Sequence, residues 1–386
     1  MDFAFAPEIV ALKKVCRDFA DKEIAPYAAG WSERGEFPVP VFRQLGELGL
    51  MGMLISQEWG GIDAGMVAYV AVMEELGRAD QSVAAAWNAH STIAALPLSL
   101  FGTDEQKERW LRPLAEGKSL AAFGLTEPNA GSDAAGIETR AKRVDGGWVL
   151  NGNKTFISNA GTAMSLGVTV LAQTGVAEDG RKTFGAFFVP TGTAGYVPGE
   201  RLRKLGWHAL DTRELSFTDC FVSDDHLIGD AERGLPQFLS ALDAGRISVA
   251  ALALSLAEAA LEEAVAYSGT RVQFGKPINS FQAIGHKLAD MATEVEAARW
   301  LVYRASWLAD EGLPHRKEAA MAKLYASEVA NRVASAGVQV HGGYGWMLES
   351  KIARLYADAK ILEIGEGTSE IQRNVISRLL VQSPGR

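Results

Sequence analysis

The chain has 386 residues, 48% of them hydrophobic and 22% charged, which suits two or three domains with a substantial core and excludes a disordered chain. Its formal charge of −9 lacks the basic footprint of a nucleic-acid binder and disfavours anionic membrane surfaces. Cys16 and Cys220 are too few for a disulfide scaffold, and no uncharged apolar run of about 18 residues marks a membrane helix. The opening carries Asp2 and no basic stretch, so it does not read as a signal peptide, and the expected location is the cytoplasm.

In chain order, the first part reads as helical, with segments over 7–29, 38–49, 63–78, 81–101 and 103–117. Thr103 is placed to cap the last of these, with Asp104 and Glu105 in its first turn favouring the helix dipole. From about 119 to 228 the texture changes to short β-prone runs. Trp148-Val149-Leu150, then Asn151-Gly152, then Lys154-Thr155-Phe156-Ile157-Ser158 predict a hairpin turning at the Asn-Gly pair. Runs at 166–173, 183–190 and 214–218 complete a small antiparallel barrel or sandwich. From about 232 the helical period returns. Ile247, Ala250, Leu254, Ala257, Leu261 and Val265 step by three or four, as do Ile284, Leu288, Met291, Val295, Ala298 and Val302. A third helix over 316–340 stops at Gly342-Gly343, and a fourth runs from Thr368 to Leu380 with Thr368 as its cap. The expected fold class is α+β: an all-α domain at 1–118, a small antiparallel β-barrel at 119–228 and a four-helix bundle at 229–386.

Several chemistries are missing. His90, His208, His226, His286, His315 and His341 form no HExxH and have no cysteine partner at metal spacing, so no metal is expected. GxSxG, GxGxxG and GxxxxGK[ST] do not occur, which disfavours a hydrolase elbow, a Rossmann site and a P-loop. Three segments could carry chemistry. The 125–133 loop offers hydroxyls and backbone N–H groups to the edge of a polar heterocycle, or is a junction loop. Phe156 beside Ser158 could cover a flat ring, or fill a barrel core. Glu366 lies between Gly365 and Gly367 before a helix, where a dry pocket would make it a base near neutral pH; an acid at a helix entry is the plainer reading. His341, at a helix end, reads as a structural hydrogen-bonder.

Taken together and in order, TEPNAGSD, NGNKTFISNA, DTRELSFTD, RVQFGK, VQVHGGYGW, ARLYADAK and EGTSEIQR make the chain resemble the acyl-CoA dehydrogenases over essentially its whole length. The resemblance implies FAD bound without a Rossmann domain. It implies oxidation of an acyl-CoA thioester to a trans-2-enoyl-CoA, Glu366 removing the α-proton while hydride leaves Cβ for flavin N5. It implies transfer of electrons to an electron-transfer flavoprotein and a homotetramer built as a dimer of dimers. On the flavin and pantetheine side, Phe123, Leu125, Thr126, Gly131 and Ser132 match one family loop, and Phe156, Ile157 and Ser158 match the segment on the isoalloxazine. Phe156 stands where several relatives have Trp. Arg271 and Phe274 match positions that hold the pyrophosphate and adenine half from a neighbouring subunit, with Gln339, Gly342 and Gly343 on the same half. Thr368 and Glu370 match residues that touch FAD after the base. Asp243 and Arg246 stand near the CoA wall, and Gly365 and Gly367 flank the base on the substrate side.

Two departures are informative. Some relatives carry the base at the position of Gly245; here that residue has no side chain and Glu366 is present. Gly365 replaces a tyrosine common in straight-chain enzymes, which implies room for a branched or bulky acyl group. The arginine of glutaryl-type enzymes falls at Ala84, which disfavours a dicarboxyl substrate. Other readings on this fold are a carrier-protein thioester as substrate, direct use of oxygen as an oxidase or monooxygenase, and a non-catalytic helical scaffold.

Overall fold

The structure, a computed structural model, describes residues 4–382, the side chains of Asp243 and Gln382 excepted. It opens with α1 (Pro7–Glu23), α2 (Ala28–Arg34), α3 (Val39–Glu47) and α4 (Gly65–Ala79). The first helix does not reach residue 29 as the periodicity predicts. Pro26 lacks an N–H and disfavours helical backbone at Ala25, so the chain turns and restarts. Asp80 then caps α5 (Gln81–Asn88), its Oδ1 accepting from the Val83 N–H at 2.9 Å.

The helix expected over 81–101 is interrupted by a π segment, Ala89–Ala94, before α6 (Ala95–Phe101). Thr103 caps the next helix as expected, in a capping box with Gln106. That helix is α7 (Asp104–Gln106), a second π segment (Lys107–Leu111) and α8 (Arg112–Ala115). Each π segment holds the residue four before a proline: Ile93 before Pro97, Arg109 before Pro113. A proline ring strikes that carbonyl in an α-helix, and the wider turn relieves the contact.

Eight strands follow: β1 (Leu120–Gly124), β2 (Arg140–Val144), β3 (Gly147–Ser158), β4 (Ser165–Val176), β5 (Lys182–Pro190), β6 (Tyr196–Arg201), β7 (Thr212–Ser223) and β8 (Leu227–Ile228). Their order is β6-β7-β3-β2-β4-β5-β8, with β1 also on β4. All pairings are antiparallel except β1–β4 and the single β2–β4 contact.

The predicted hairpin at Asn151-Gly152 is not there. β3 runs straight through the pair, and Gly152, at φ +150°, sits at a register shift against β7. The Asn151 amide grips Asp219 across that bulge through both its backbone N–H and its carboxylate. The turn lies instead at Asp145-Gly146, between the paired Val144 and Gly147, with Gly146 at φ +74°. Asp-Gly was an equally good local signal. Pairing of β3 on both flanks decides between the two.

The C-terminal part has α9 (Gly234–Thr270), a two-residue-strand hairpin of β9 (Val272–Gln273) and β10 (Lys276–Pro277), α10 (Gln282–Asp310), α11 (Arg316–His341), α12 (Lys351–Ala359) and α13 (Ser369–Gln382). The sequence reading did not single out α12, whose buried Ile352, Leu355 and Ala359 give too short a repeat. The seam residues Ile247, Ala250, Leu254, Ala257, Met291, Val295, Ala298 and Val302 are buried, whereas Val265 is half exposed. One core joins this bundle to the N-terminal helices, packing Tyr69, Met73 and Trp87 with Leu254, Val302 and Val333. The middle strands enclose a separate core around Leu150, Phe187 and Phe217. Glu366 lies where α5, α9 and α11 of the shared core meet the turn into α13.

Candidate active site

The turn into α13 is built in a backbone region that side chains seldom adopt. Glu366 has φ +52° and Gly367 φ +96°. Two buried side chains hold it there through one carbonyl. Lys323 Nζ on α11 donates to Gly367 O at 2.7 Å, and Gln372 Nε2 donates to the same oxygen at 3.0 Å. Thr368 Oγ1 accepts from the Ile371 N–H at 3.3 Å and caps α13, as expected.

The Glu366 side chain enters a pocket walled by α5 and α9. Its Oε1 accepts from Asn88 Nδ2 at 3.2 Å. Its Oε2 is enclosed and has no hydrogen-bond partner among the described residues. Burial pushes the carboxyl up to about 8, against the pull of Lys323, Arg246 and the Asn88 hydrogen bond. Lys323 is itself pushed down to about 8 by burial, with Glu366 opposing. Arg246, buried on α9, acts on the charge of this group; the sequence places it near the CoA wall rather than beside the carboxylate. Asp243 lies on α9, but its side chain is outside the described residues. Gly365 is open: a Cβ there would meet only the Ile361 carbonyl, at 3.5 Å. Around Glu366 the structure therefore places a buried carboxyl group with two basic side chains near it and one oxygen without a hydrogen-bond partner among the described residues.

The 125–133 loop is fixed to β3 by a buried ion pair. Lys154, fully buried, donates to Glu127 Oε1 at 2.7 Å and to Leu125 O at 3.1 Å. Glu127 also accepts from the Glu138 and Thr139 N–H groups, and the Thr155 N–H donates to Thr126 O at 2.9 Å. Phe123 stacks on Phe238 of α9, ring centroids 4.3 Å apart. Ser132 and Gly131 are exposed, with open space beside Gly131.

Phe156 is 69% exposed at φ +62°, thrown outward by a second bulge in β3. Ile157 points the other way into the sheet core, so only its backbone is available to a ligand. Ser158 is half buried, and Asn159 ties the strand end to α5 by donating to Ala86 O at 2.9 Å.

Most of the remaining candidates line two open clefts along the C-terminal half of α11. Arg271, Gly342 and Gly343 share one of about 540 Å³ with Tyr267, His341 and Tyr344. The Arg271 guanidinium lies over the Tyr344 ring at 5.4 Å. Gln339 and Glu370 share the other, of about 830 Å³, with Arg332 and Arg373. Phe156 and Ser158 line neither. Phe274, at the tip of the β9–β10 hairpin with φ +52°, is 93% exposed. An outward phenyl ring, an arginine over an aromatic face and a cleft lined by Gly342 and Gly343 suit a flat, anionic, extended group such as FAD. His341 is buried, its Nδ1 2.8 Å from Gly337 O and its ring stacked on Tyr267, a structural role as expected.

Sequence reasoning missed Asn88, Tyr69, Lys323, Glu127 and Lys154. For Lys323 a signal existed, since it is the one charged residue between Ala319 and Ala326 in an Ala-rich helical run; Asn88, followed by His90, Ser91 and Thr92, did not stand out. Lys154 and Glu127 are far apart in sequence and gave none.

Comparison with known proteins agrees with the motifs. Models of the acyl-CoA dehydrogenase N-terminal, middle and C-terminal domains match residues 6–118, 122–220 and 232–381. The probable acyl-CoA dehydrogenase YngJ of Bacillus subtilis is 47% identical over 382 residues, 99% of this chain and 100% of that protein. The solved structure of butyryl-CoA dehydrogenase from Megasphaera elsdenii superposes with a TM-score of 0.95 at 41% identity, over 99% of this chain and all of that one. A chain from a structure reported for the electron transferring flavoprotein of Acidaminococcus fermentans superposes with a TM-score of 0.95 at 38% identity, over 99% and 100%. With three domain models in register and full-length relatives well above 30% identity, this chain belongs to the acyl-CoA dehydrogenase family.

Proposed function

We propose that Glu366 is the base of an FAD-dependent α,β-dehydrogenation of an acyl-CoA thioester, with an electron-transfer flavoprotein taking the electrons onward. The observation that carries the assignment is the enclosed Glu366 carboxylate, with one oxygen anchored and the other free. An ordinary surface carboxylate is too weak a base for a thioester α-proton. Burial raises this one toward neutrality, where proton affinity and ionised fraction are both useful. The Glu366 N–H is assigned to the thioester oxygen, where it would stabilise the charge that develops. Lys323 and Arg246 keep the site electropositive around that charge. When bound, FAD supplies the acceptor for the Cβ hydride.

Phe123, Leu125, Thr126, Phe156, Ile157, Ser158, Thr368 and Glu370 are assigned to the cofactor held by this chain. Ser132, Asp243, Arg246, Gly365 and Gly367 are assigned to the thioester. Arg271, Phe274, Gln339, Gly342 and Gly343 are assigned to the cofactor of a second copy, in a homotetramer. The exposure of Phe274, Trp346 and Leu348 supports a covering partner there. The proposed boundaries at 118 and 228 divide the chain into three domains, with Glu366 between helices of the first and third. The open space at Gly365 supports a branched or bulky acyl group. Ala84 is fully buried and carries no charge, which argues against a dicarboxyl substrate. A cytoplasmic enzyme is the matching location; no helix among the described residues is long and apolar enough to cross a membrane.

The test is anaerobic flavin absorbance of purified protein titrated with straight and branched acyl-CoAs. Bleaching by some thioesters, abolished in Glu366→Gln with FAD retained, is the expected result. A yellow protein bleached by no acyl-CoA overturns the proposal in favour of a carrier-bound or other substrate.

A further inference from the structure

We infer that Asn88 and Tyr69 form a buried positioning relay that holds one oxygen of the Glu366 carboxylate and leaves the other to take the proton. The inference rests on Glu366 being the base. Asn88 is the last residue of α5, just before the π segment, and is 3% exposed. Tyr69, on α4, is fully buried and stacks on Trp87 with ring centroids 4.3 Å apart. A phenol O–H that faces an amide oxygen donates to it. Tyr69 Oη lies 3.1 Å from Asn88 Oδ1, so this contact orients the amide. The amide nitrogen then has one direction left, toward Glu366 Oε1 at 3.2 Å.

The backbone is held as well. Thr92 Oγ1 donates to the Asn88 carbonyl at 2.8 Å across the widened π turn. Asn88 can therefore neither swing nor flip without breaking a buried hydrogen bond. Its partner oxygen is fixed, and Oε2, enclosed and without a partner among the described residues, remains as the proton acceptor.

The groups facing the carboxylate come from four elements. Lys323 reaches it from α11, Arg246 from α9, Asn88 from α5 and the Tyr69 phenol, through Asn88, from α4. The two cations act on the charge of the carboxylate wherever it points. The amide acts on one oxygen and so sets direction. Burial and the nearby carboxylate hold the Tyr69 hydroxyl well above its ordinary range, so it remains a donor throughout the working pH range. Tyr69 touches neither substrate nor base and acts through Asn88.

The experiment measures the rate of flavin reduction against pH in the FAD-loaded enzyme, for wild type, Asn88→Leu, Tyr69→Phe and the double variant. Losing one neutral hydrogen bond to the carboxylate is expected to move the limb governed by the base up by about one pH unit. Displacing the carboxylate should lower the limiting rate by roughly 10-fold or more. Tyr69→Phe keeps the ring on Trp87 and should move the limb the same way by less. It should add nothing to Asn88→Leu, because it acts through that amide.

An unchanged pH profile in Asn88→Leu overturns the inference, as does full additivity of the two substitutions. A purely structural role would lower Tm without moving the limb. Should Asn88→Leu fail to fold, Tyr69→Phe decides alone: a shifted limb supports the relay and an unshifted one overturns it. Failure of the underlying assignment shows separately, as undiminished reduction in Glu366→Gln.

Discussion

Gly245 and Glu366 compete for one space: a Cβ at Gly245 would lie 2.4 Å from Glu366 Oε2. The helix α9 can approach the base this closely only because residue 245 has no side chain. Its second neighbour, Ile93 Cγ2, would be 3.1 Å away, so the added methyl has no other place to go.

Gly245→Ala should therefore displace the carboxylate and leave the fold intact. Alanine is the better helix former by about 1 kcal/mol, so Tm should hold or rise. The rate of flavin reduction should fall by about 10- to 100-fold, as misplacing a catalytic group by an ångström costs this much. Stopped-flow reduction beside a melting curve and the FAD content checks it. Unchanged reduction would mean that the carboxylate points elsewhere during catalysis.

The raised Glu366 carboxyl has two pH consequences, opposite in sign: activity gains and stability loses as pH rises. Only the carboxylate can take a proton, so kcat/KM should climb with pH and level off above about 8. Lys323→Met removes a charge that favours the carboxylate, so the limb should move to higher pH. In folding, the native state keeps a proton that the unfolded chain loses near 4.5. This group's contribution to stability thus falls as pH rises from 4.5 to about 8, and Glu366→Gln should remove that slope. Paired pH–rate and pH–Tm profiles test both; a limb at ordinary carboxylate values would refute them.

Asp358 is a second buried carboxyl, remote in role from the base. On α12 it accepts from the Trp207 N–H, while Gly206 packs so close that a Cβ there would meet its Oδ1 at 2.5 Å. Burial, with Asp80 nearby, pushes it from 3.8 up to about 7. The same sign applies: native stability drops as pH rises through that window. Asp358→Asn keeps an acceptor for Trp207 and removes the drop. It should raise Tm by several degrees at pH 8 and change little at pH 4. Calorimetry at the two pH values distinguishes this from a simple packing change, which would be equal at both.

Lys154 and Glu127 should behave as a buried pair does. Removing one partner leaves a buried charge without its counterion, at a cost of about 3–5 kcal/mol. Lys154→Met should lower Tm and, by releasing Leu125 and Glu127 from β3, weaken FAD retention. Lys154→Met with Glu127→Gln should recover part of the stability. Chemical denaturation and FAD dissociation measured together would check this; a loss of stability with FAD affinity unchanged would separate the pair from the cofactor loop.

The residues assigned to chemistry split by how local their signal is. Glu366 between two glycines, the 125–133 loop and the aromatic at 156 were legible because each is a contiguous motif. The helical bundle was legible from its three-and-four stepping. The hairpin misreading arose because Asn151-Gly152 and Asp145-Gly146 carry the same local preference, and only the pairing of β3 with β7 turns the first into a bulge. The first helix was read too long because its apolar spacing continues past Pro26, which ends it.

By itself the sequence determined the class of fold and the family and singled out Glu366 as the candidate base, since these depend on period, composition and contiguous motifs. The tertiary structure alone decided what surrounds Glu366. Asn88, Gly245 and Lys323 come from three helices and meet Glu366 only after packing, and the Lys154–Glu127 pair likewise joins residues distant in the chain. Burial and proximity set the proton affinity of a carboxylate and the direction it faces, and neither is a property of the residues next to it in sequence.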